Sequence, residues 1–293
     1  MDIKYSEIFT SFQGEAGFAG MPTIWVRFFG CNLECNGFGQ KNPMDETTYV
    51  LPYKKIDVSK YKTLEELPVF EHGCDSSYSW SKNYDSLVHK KSVSDMVDLM
   101  IELGEQNLGL KRDNEKGFWY HPDTKRKVQL CFTGGEPMLW QKQMKAICDE
   151  FKERSMTPAQ ITIETNGTKP FKDFNSMTSN ADLYMSISPK LFSVSGEKNA
   201  VLPKLILEIA DESPGWLKFV VNGTNACWEE LDIYMAKLKQ LPSDWDIWVM
   251  PVGATKEQQE GKDIAKISLE AMRRGFKVAT RNHTYVFGNC IGS

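Results

Sequence analysis

The sequence predicts an α/β chain folded as an open, partial βα barrel of about six parallel strands. Three observations carry this expectation: six short runs rich in β-branched and aromatic residues, helical apolar patterns between them, and Gly or Pro where most of the runs end. Six repeats fall short of the eight in a closed barrel, and such folds keep their chemistry in loops at the carboxyl ends of the strands.

In order, the runs are TIWVRFFG (23–30), VQLCFTGG (128–135), QITIETNG (160–167), LYMSISPK (183–190), WLKFVVNG (216–223) and IWVMPVG (247–253). Met144, Ile147, Cys148 and Phe151 share one helical face after the second run, as do Ile264, Ile267 and Ala271 after the sixth. Ser92-Val93-Ser94-Asp95, ahead of MVDLMIEL, forms a capping box for a further helix. Two polar segments, 36–73 and 107–127, break the rhythm and read as surface insertions. With no internal repeat or linker, residues 1–293 read as one domain.

A net charge of −4 gives no electrostatic footprint for nucleic acid or an anionic membrane. No apolar run nears the roughly 20 residues of a membrane helix. The opening MDIKYSEIFTSFQGE carries acidic residues and lacks the apolar core of a signal peptide, so a cytoplasmic, reducing location is expected. The seven cysteines are then thiols or metal ligands.

Cys31 and Cys35 look like the start of a three-cysteine cluster whose last member belongs at position 38, which is Phe38. GCDSSYSW follows the first insertion, so if 36–73 loops out, Cys74 returns beside the other two. Three thiolates suit an iron–sulfur cluster with one iron left open. Ordinary buried thiols, or a Cys3His zinc site completed by His72, are the alternatives. On the cysteines alone, zinc and iron–sulfur stand level.

A cysteine loop followed by FTGGEP (132–137) resembles the radical S-adenosylmethionine enzymes. Within them the chain is similar to the 7-carboxy-7-deazaguanine synthase family through SFQGEAG (11–17), PTIWVRFFGCN (22–32), CDSSYSW (74–80), TGGEP, ETNG (164–167), SPK (188–190), LKFVV (217–221), Met250-Pro251 and RNHTYVFGN (281–289), in family order. The insertion between the second and third cysteines departs from the family's CxxxCxxC.

The resemblance implies a radical-enzyme partial barrel acting as a lyase of queuosine-type 7-deazaguanine biosynthesis. It implies a 4Fe–4S cluster on Cys31, Cys35 and Cys74, Mg²⁺ on Ser76, and S-adenosyl-L-methionine held by Gly73, Asp75, Gly135, Glu136, Ser188 and Lys190. The TGGEP glycines would expose amides to that molecule's carboxylate, with Glu136 accepting from its ammonium. The implied substrate is 6-carboxy-5,6,7,8-tetrahydropterin, bound by Phe12, Gln13, Gly14, Glu15, Arg27 and Thr133, of which Arg27 and Thr133 are the catalytic assignments. Arg27 lies on an apolar strand and needs a partner, either the substrate's carboxylate or an internal salt bridge to Glu15. A homodimer and an electron donor such as flavodoxin or ferredoxin are implied as well. His283 reads as structural, Cys131 and Cys148 as core, and Cys227 and Cys290 lack cluster spacing. Competing readings are a glycyl-radical-enzyme activating protein, a zinc-stabilised binding module using the insertion as its recognition surface, and a family member that has lost activity and binds a partner, against which the intact Arg27, Glu136 and Ser76 argue.

Overall fold

The computed structural model describes residues 2–171 and 181–292 of the predicted 1–293 span. The described residues form one nine-stranded sheet: β1 (Asp2–Phe12), β2 (Pro22–Phe28), β3 (His89–Ser92), β4 (Gln129–Gly134), β5 (Gln160–Thr165), β6 (Asp182–Ile187), β7 (Gly215–Val221), β8 (Asp246–Pro251) and β9 (Lys277–Val278). The spatial order is β3-β1-β2-β4-β5-β6-β7-β8-β9, with each pair parallel from β2 onward. All six predicted runs are parallel strands in sequence order. Two-residue β9 adds a seventh, while β1 and β3 make an antiparallel edge that the sequence reading did not anticipate. The ends of the sheet do not pair, so the barrel is open.

Among the described residues six helices lie between strands, α1 (Val93–Leu108), α2 (Gln141–Glu153), α3 (Phe192–Ser195), α4 (Pro203–Glu212), α5 (Asn225–Lys237) and α6 (Lys262–Arg273), and α7 (Asn282–Phe287) follows the last strand. Ser92 caps α1 by accepting from the Asp95 amide at 3.1 Å. Helix α2 buries Met144, Ile147, Cys148 and Phe151, the face that the spacing predicts. On α6, Ile267 and Ala271 are buried and Ile264 is half-buried. Cys131 on β4, Cys148 on α2 and Cys227 on α5 are core residues. None of the described helices is long and apolar enough to cross a membrane.

Neither insertion is merely superficial. Residues 36–73 form a chain of short 3₁₀ turns around their own apolar cluster, where Tyr53, Leu64, Leu67 and Phe70 pack with Tyr78 and Tyr84 from the segment just after. In the second insertion, Phe118 and Trp119 are almost wholly buried in the main core. The Trp119 indole donates to the Met156 carbonyl at 2.8 Å and meets Phe151 edge-on at 5.1 Å. Polar residues dominated the composition of that segment and hid this anchor. Trp119→Ala therefore is expected to cost about 3–5 kcal/mol, as other large aromatic truncations do. Urea denaturation followed by circular dichroism measures the loss, and a cost below ~1 kcal/mol contradicts the anchoring role.

Candidate active site

The carboxyl ends of the parallel strands open on a cavity of about 440 Å³. Its floor comes from β1, β2, β4, β5, β6, β7 and β8, and its side from the first insertion through Pro68, Val69 and Glu71. Of the sixteen side chains and glycines predicted to build the site, fifteen line this cavity; Glu136 does not.

Cys74 reaches the other cysteines because the insertion is pinched shut at its base. Gly73 N–H donates to the Phe38 carbonyl at 2.8 Å, and Phe38 N–H donates to the Cys35 carbonyl at 3.3 Å. Gly39 has φ +68°, and a Cβ there would lie 2.5 Å from the Glu71 carbonyl oxygen, so only glycine fits the neck. Cys31, Cys35 and Cys74 are free thiols on one wall. Burial pushes the Cys31 thiol up to about 12, Cys74 to about 11 and Cys35 well above its ordinary value, while nearby Lys190 pulls each down. Lys190 Nζ donates to Ser188 Oγ at 2.9 Å and lies 5.9 Å from the centre of the Phe38 ring.

Among the described residues, no three His, Cys, Asp or Glu side chains are set to grip one metal ion. A zinc site requires its donors about 2.3 Å from a single point, whereas a cluster offers each thiolate its own iron. His72, the fourth donor of the zinc reading, is absent from the cavity wall. Three thiols on the cavity wall, without His72 beside them there, suit a cluster that leaves one iron open.

TGGEP performs a different job from the one expected. Gly135 N–H donates to the Phe28 carbonyl at 3.3 Å and Glu136 N–H to the Gly30 carbonyl at 2.9 Å, so neither amide is free for a ligand. A Cβ on Gly134 would lie 2.4 Å from Phe28 O, and one on Gly135 2.4 Å from Gly30 O, which explains both glycines by close backbone approach. Glu136 is fully buried, and its carboxylate accepts from Met138 N at 2.9 Å, Thr165 Oγ1 at 2.6 Å and Asn166 N at 2.8 Å. Both oxygens are engaged inside the scaffold, so the carboxylate ties the TGGEP turn to the ETNG loop.

Arg27 pairs with Glu7, at 2.5 Å from Nε to Oε1, and not with Glu15. Glu7 also accepts from the Tyr78 hydroxyl at 2.8 Å. Among the described residues no hydrogen bond engages the terminal amino groups of Arg27, which borders the cavity. That fork matches a carboxylate.

Glu15 instead joins a buried chain of charges. It pairs with Lys218, with Arg281 Nε at 2.9 Å and more distantly with His283 Nε2 at 3.9 Å. Arg281 also reaches Asp75 at 2.7 Å and the Gly253 carbonyl at 2.8 Å. Lys218 lies 3.9 Å from Glu164, whose carboxylate accepts from Gln13 Nε2 at 3.3 Å and Thr133 Oγ1 at 3.5 Å. Burial alone would raise the Glu15 carboxyl, yet Lys218, Arg281 and His283 hold it well below the usual range. The same carboxylates raise Lys218 and Arg281 against burial, making both fixed cations at neutral pH. Sequence reasoning gave no role to Glu7, Tyr78, Glu164, Lys218 or Arg281. The signal was available: a charged residue within an apolar strand needs a partner, the argument already applied to Arg27.

His283 also belongs to this wall, packed so closely on Gly14 that a Cβ there would sit 2.2 Å from its Nδ1. Burial lowers the imidazole to about 4. Its ordinary value is near 6.5, so between those pH values the unfolded chain binds the extra proton. Stability contributed by neutral His283 is present above about pH 6.5 and lost as pH falls towards 4. His283→Asn is expected to remove roughly 3 kcal/mol of that acid-side slope, measured as urea midpoints between pH 7 and pH 4.5. Equal slopes in the two proteins would contradict a buried neutral imidazole.

No family model matches the chain. Curated relatives named 7-carboxy-7-deazaguanine synthase do: the Pyrobaculum aerophilum protein is 24% identical over 290 residues, spanning 99% of this chain and 97% of the relative. The Methanospirillum hungatei protein of the same name is 25% identical over 269 residues, 92% and 81% of the two chains. Among solved structures, the crystal structure of QueE from Escherichia coli superimposes with a TM-score of 0.56 at 18% identity, covering 97% of this chain and 95% of that one, so the two share a fold.

Proposed function

We propose that this chain, a member of the 7-carboxy-7-deazaguanine synthase family, is a radical S-adenosylmethionine lyase that converts 6-carboxy-5,6,7,8-tetrahydropterin into 7-carboxy-7-deazaguanine. The observation that carries the reading is the pinched neck at Phe38 and Gly73. It returns Cys74 to the cavity that Cys31 and Cys35 line, together with an arginine fork whose two terminal amino groups are unengaged among the described residues. The relatives support it by name and by near-complete coverage. They lend no support to a glycyl-radical activating protein or a zinc-stabilised module.

Cys31, Cys35 and Cys74 would hold a 4Fe–4S cluster, which together with S-adenosylmethionine supplies the radical that abstracts hydrogen from the substrate. This chain's residues bind, orient and shield. Arg27, steadied by Glu7, would take the substrate carboxylate, while Gln13 and Thr133, both hydrogen-bonded to Glu164, form a polar group that would meet the donors and acceptors of the pterin edge. Ser188 and Lys190 lie on the cysteine side of the cavity, where their hydroxyl and ammonium would hold the cosubstrate, with Gly73 and Gly135 lining the space beside them. Ser76 Oγ, 3.3 Å from Asp75 Oδ1, offers hard oxygen donors for Mg²⁺ beside the third cysteine. Pro68, Val69 and Glu71 of the insertion line the cavity and would shield bound substrate from water on that side. An external one-electron donor such as flavodoxin or ferredoxin, and assembly as a homodimer, complete the reading.

Two measurements test it. After anaerobic reconstitution, the wild type is expected to carry four irons and four sulfides per chain and to turn over the pterin, with cluster and turnover both lost in Cys74→Ala. Stoichiometric zinc without iron would sink the radical reading. In Arg27→Lys the loss of the planar fork is expected to cut kcat/KM by about 100-fold, given ~3 kcal/mol for a charge-assisted bidentate pair. An unchanged kcat/KM would remove Arg27 from substrate binding.

A further inference from the structure

We propose that Glu197 is a positioning residue for the cluster: it presets the cysteine loop in a metal-ready shape. The inference deepens the cluster reading above and rests on it. Oε1 of Glu197 accepts from two consecutive amides, Glu34 N at 2.7 Å and Cys35 N at 2.6 Å. These amides lie between the first two thiols. Cys35 itself has φ +52°, a left-handed conformation that is unfavourable for a non-glycine residue. Two charge-assisted hydrogen bonds converging on that turn offset the cost and fix the direction of the Cys35 side chain.

A second contact carries the loop on the same support. Gly37 N–H donates to the Ser195 carbonyl at 2.9 Å, and a Cβ on Gly37 would meet Gly196 N at 2.6 Å. Residues 195–197 thus form a pedestal under the loop. The pedestal is itself braced: Glu230 of α5 accepts from the first amides of α3, Phe192 N and Ser193 N, both at 2.8 Å, and Asn222 Nδ2 donates to the Ser193 carbonyl at 3.1 Å. Support therefore runs from α5 through Glu230, α3 and Glu197 to Cys35. Glu197 does not line the cavity, so it acts through the loop and not on a substrate. Nothing in its local sequence, SGEKN, marks it.

The test compares wild type, Glu197→Ala, Glu197→Gln and Glu230→Ala after anaerobic reconstitution. Iron and sulfide per chain, and the rate at which an iron chelator bleaches the cluster absorbance, are the readouts; apo-protein melting curves report folding separately. Loss of an outer partner of a metal ligand costs 10- to 100-fold in metal retention, so Glu197→Ala is expected to bleach roughly 10- to 100-fold faster than wild type. Glutamine keeps an acceptor oxygen for both amides, so Glu197→Gln should stay within a few-fold of wild type. Glu230→Ala, which loosens the pedestal one step away, should fall between. A wild-type rate in Glu197→Ala, or Glu197→Gln bleaching as fast as Glu197→Ala, overturns the proposal. Should Glu197→Ala not fold, a wild-type rate in Glu230→Ala overturns it instead. A wild type that takes up no cluster defeats the underlying reading, which separates the two failures.

Discussion

One hydrogen bond, from Gly73 N–H to the Phe38 carbonyl, sets the geometry on which the cavity depends. It closes an excursion that leaves the cysteine loop where a third ligand was due and returns one residue before Cys74. Loop-closure entropy grows only as the logarithm of length, by about 0.6 kcal/mol for each doubling. A long excursion is therefore little harder to close than a short one, provided that it does not compete with the barrel for its core. It does not compete, because Tyr53, Leu64, Leu67 and Phe70 bury one another and rest on Tyr78 and Tyr84, which belong to the segment carrying Ser76. The interruption has become a wall of the site.

Below that wall the cavity is lined by charges that would be costly to bury singly. Asp75, Arg281, Glu15, Lys218 and Glu164 alternate in sign along a continuous chain, and Glu7 with Arg27 forms a second pair. Removing one member of a buried pair leaves an uncompensated charge, so these residues hold one another in place whatever they bind. The chain also joins distant parts of the sequence. Glu15 precedes β2, Asp75 follows the insertion, Lys218 lies on β7 and Arg281 leads into α7, so electrostatic pairing sets the relative position of the substrate loop and the third cysteine. Lys218 and Arg281 are fixed cations, which makes them part of the field in the cavity and not proton carriers.

Much of this architecture was legible in the sequence. The parallel strands show as β-branched and aromatic runs because they are buried on both faces, and the core face of α2 shows in its spacing. Strand β1, DIKYSEIFTSF, did not, since its charged and hydroxyl residues break the apolar pattern at an edge. Its Glu7 was hidden for the same reason. Motifs pointed to residues that line the cavity, but a motif does not say which way a carboxylate points: Glu136 stands in TGGEP and faces the scaffold. Partners separated by more than 150 residues, such as Glu197 and Cys35, leave no local trace.

Glu136, Glu197 and Glu230 share a physical logic. Loops at strand ends have no ladder to satisfy their amides, and a buried amide without a partner costs more than a typical hydrogen bond gains. Each of these glutamates grips two such amides: Met138 and Asn166, Glu34 and Cys35, Phe192 and Ser193. The first ties the TGGEP turn to the ETNG loop, the second fixes the cysteine loop, and the third braces the pedestal beneath it. A site that must hold a metal group and two small molecules in register cannot rely on loops that settle only when the ligands arrive. Acidic side chains near a cavity are therefore divided between those that face it and those that keep its loops in shape, and only the count of amides each accepts tells them apart.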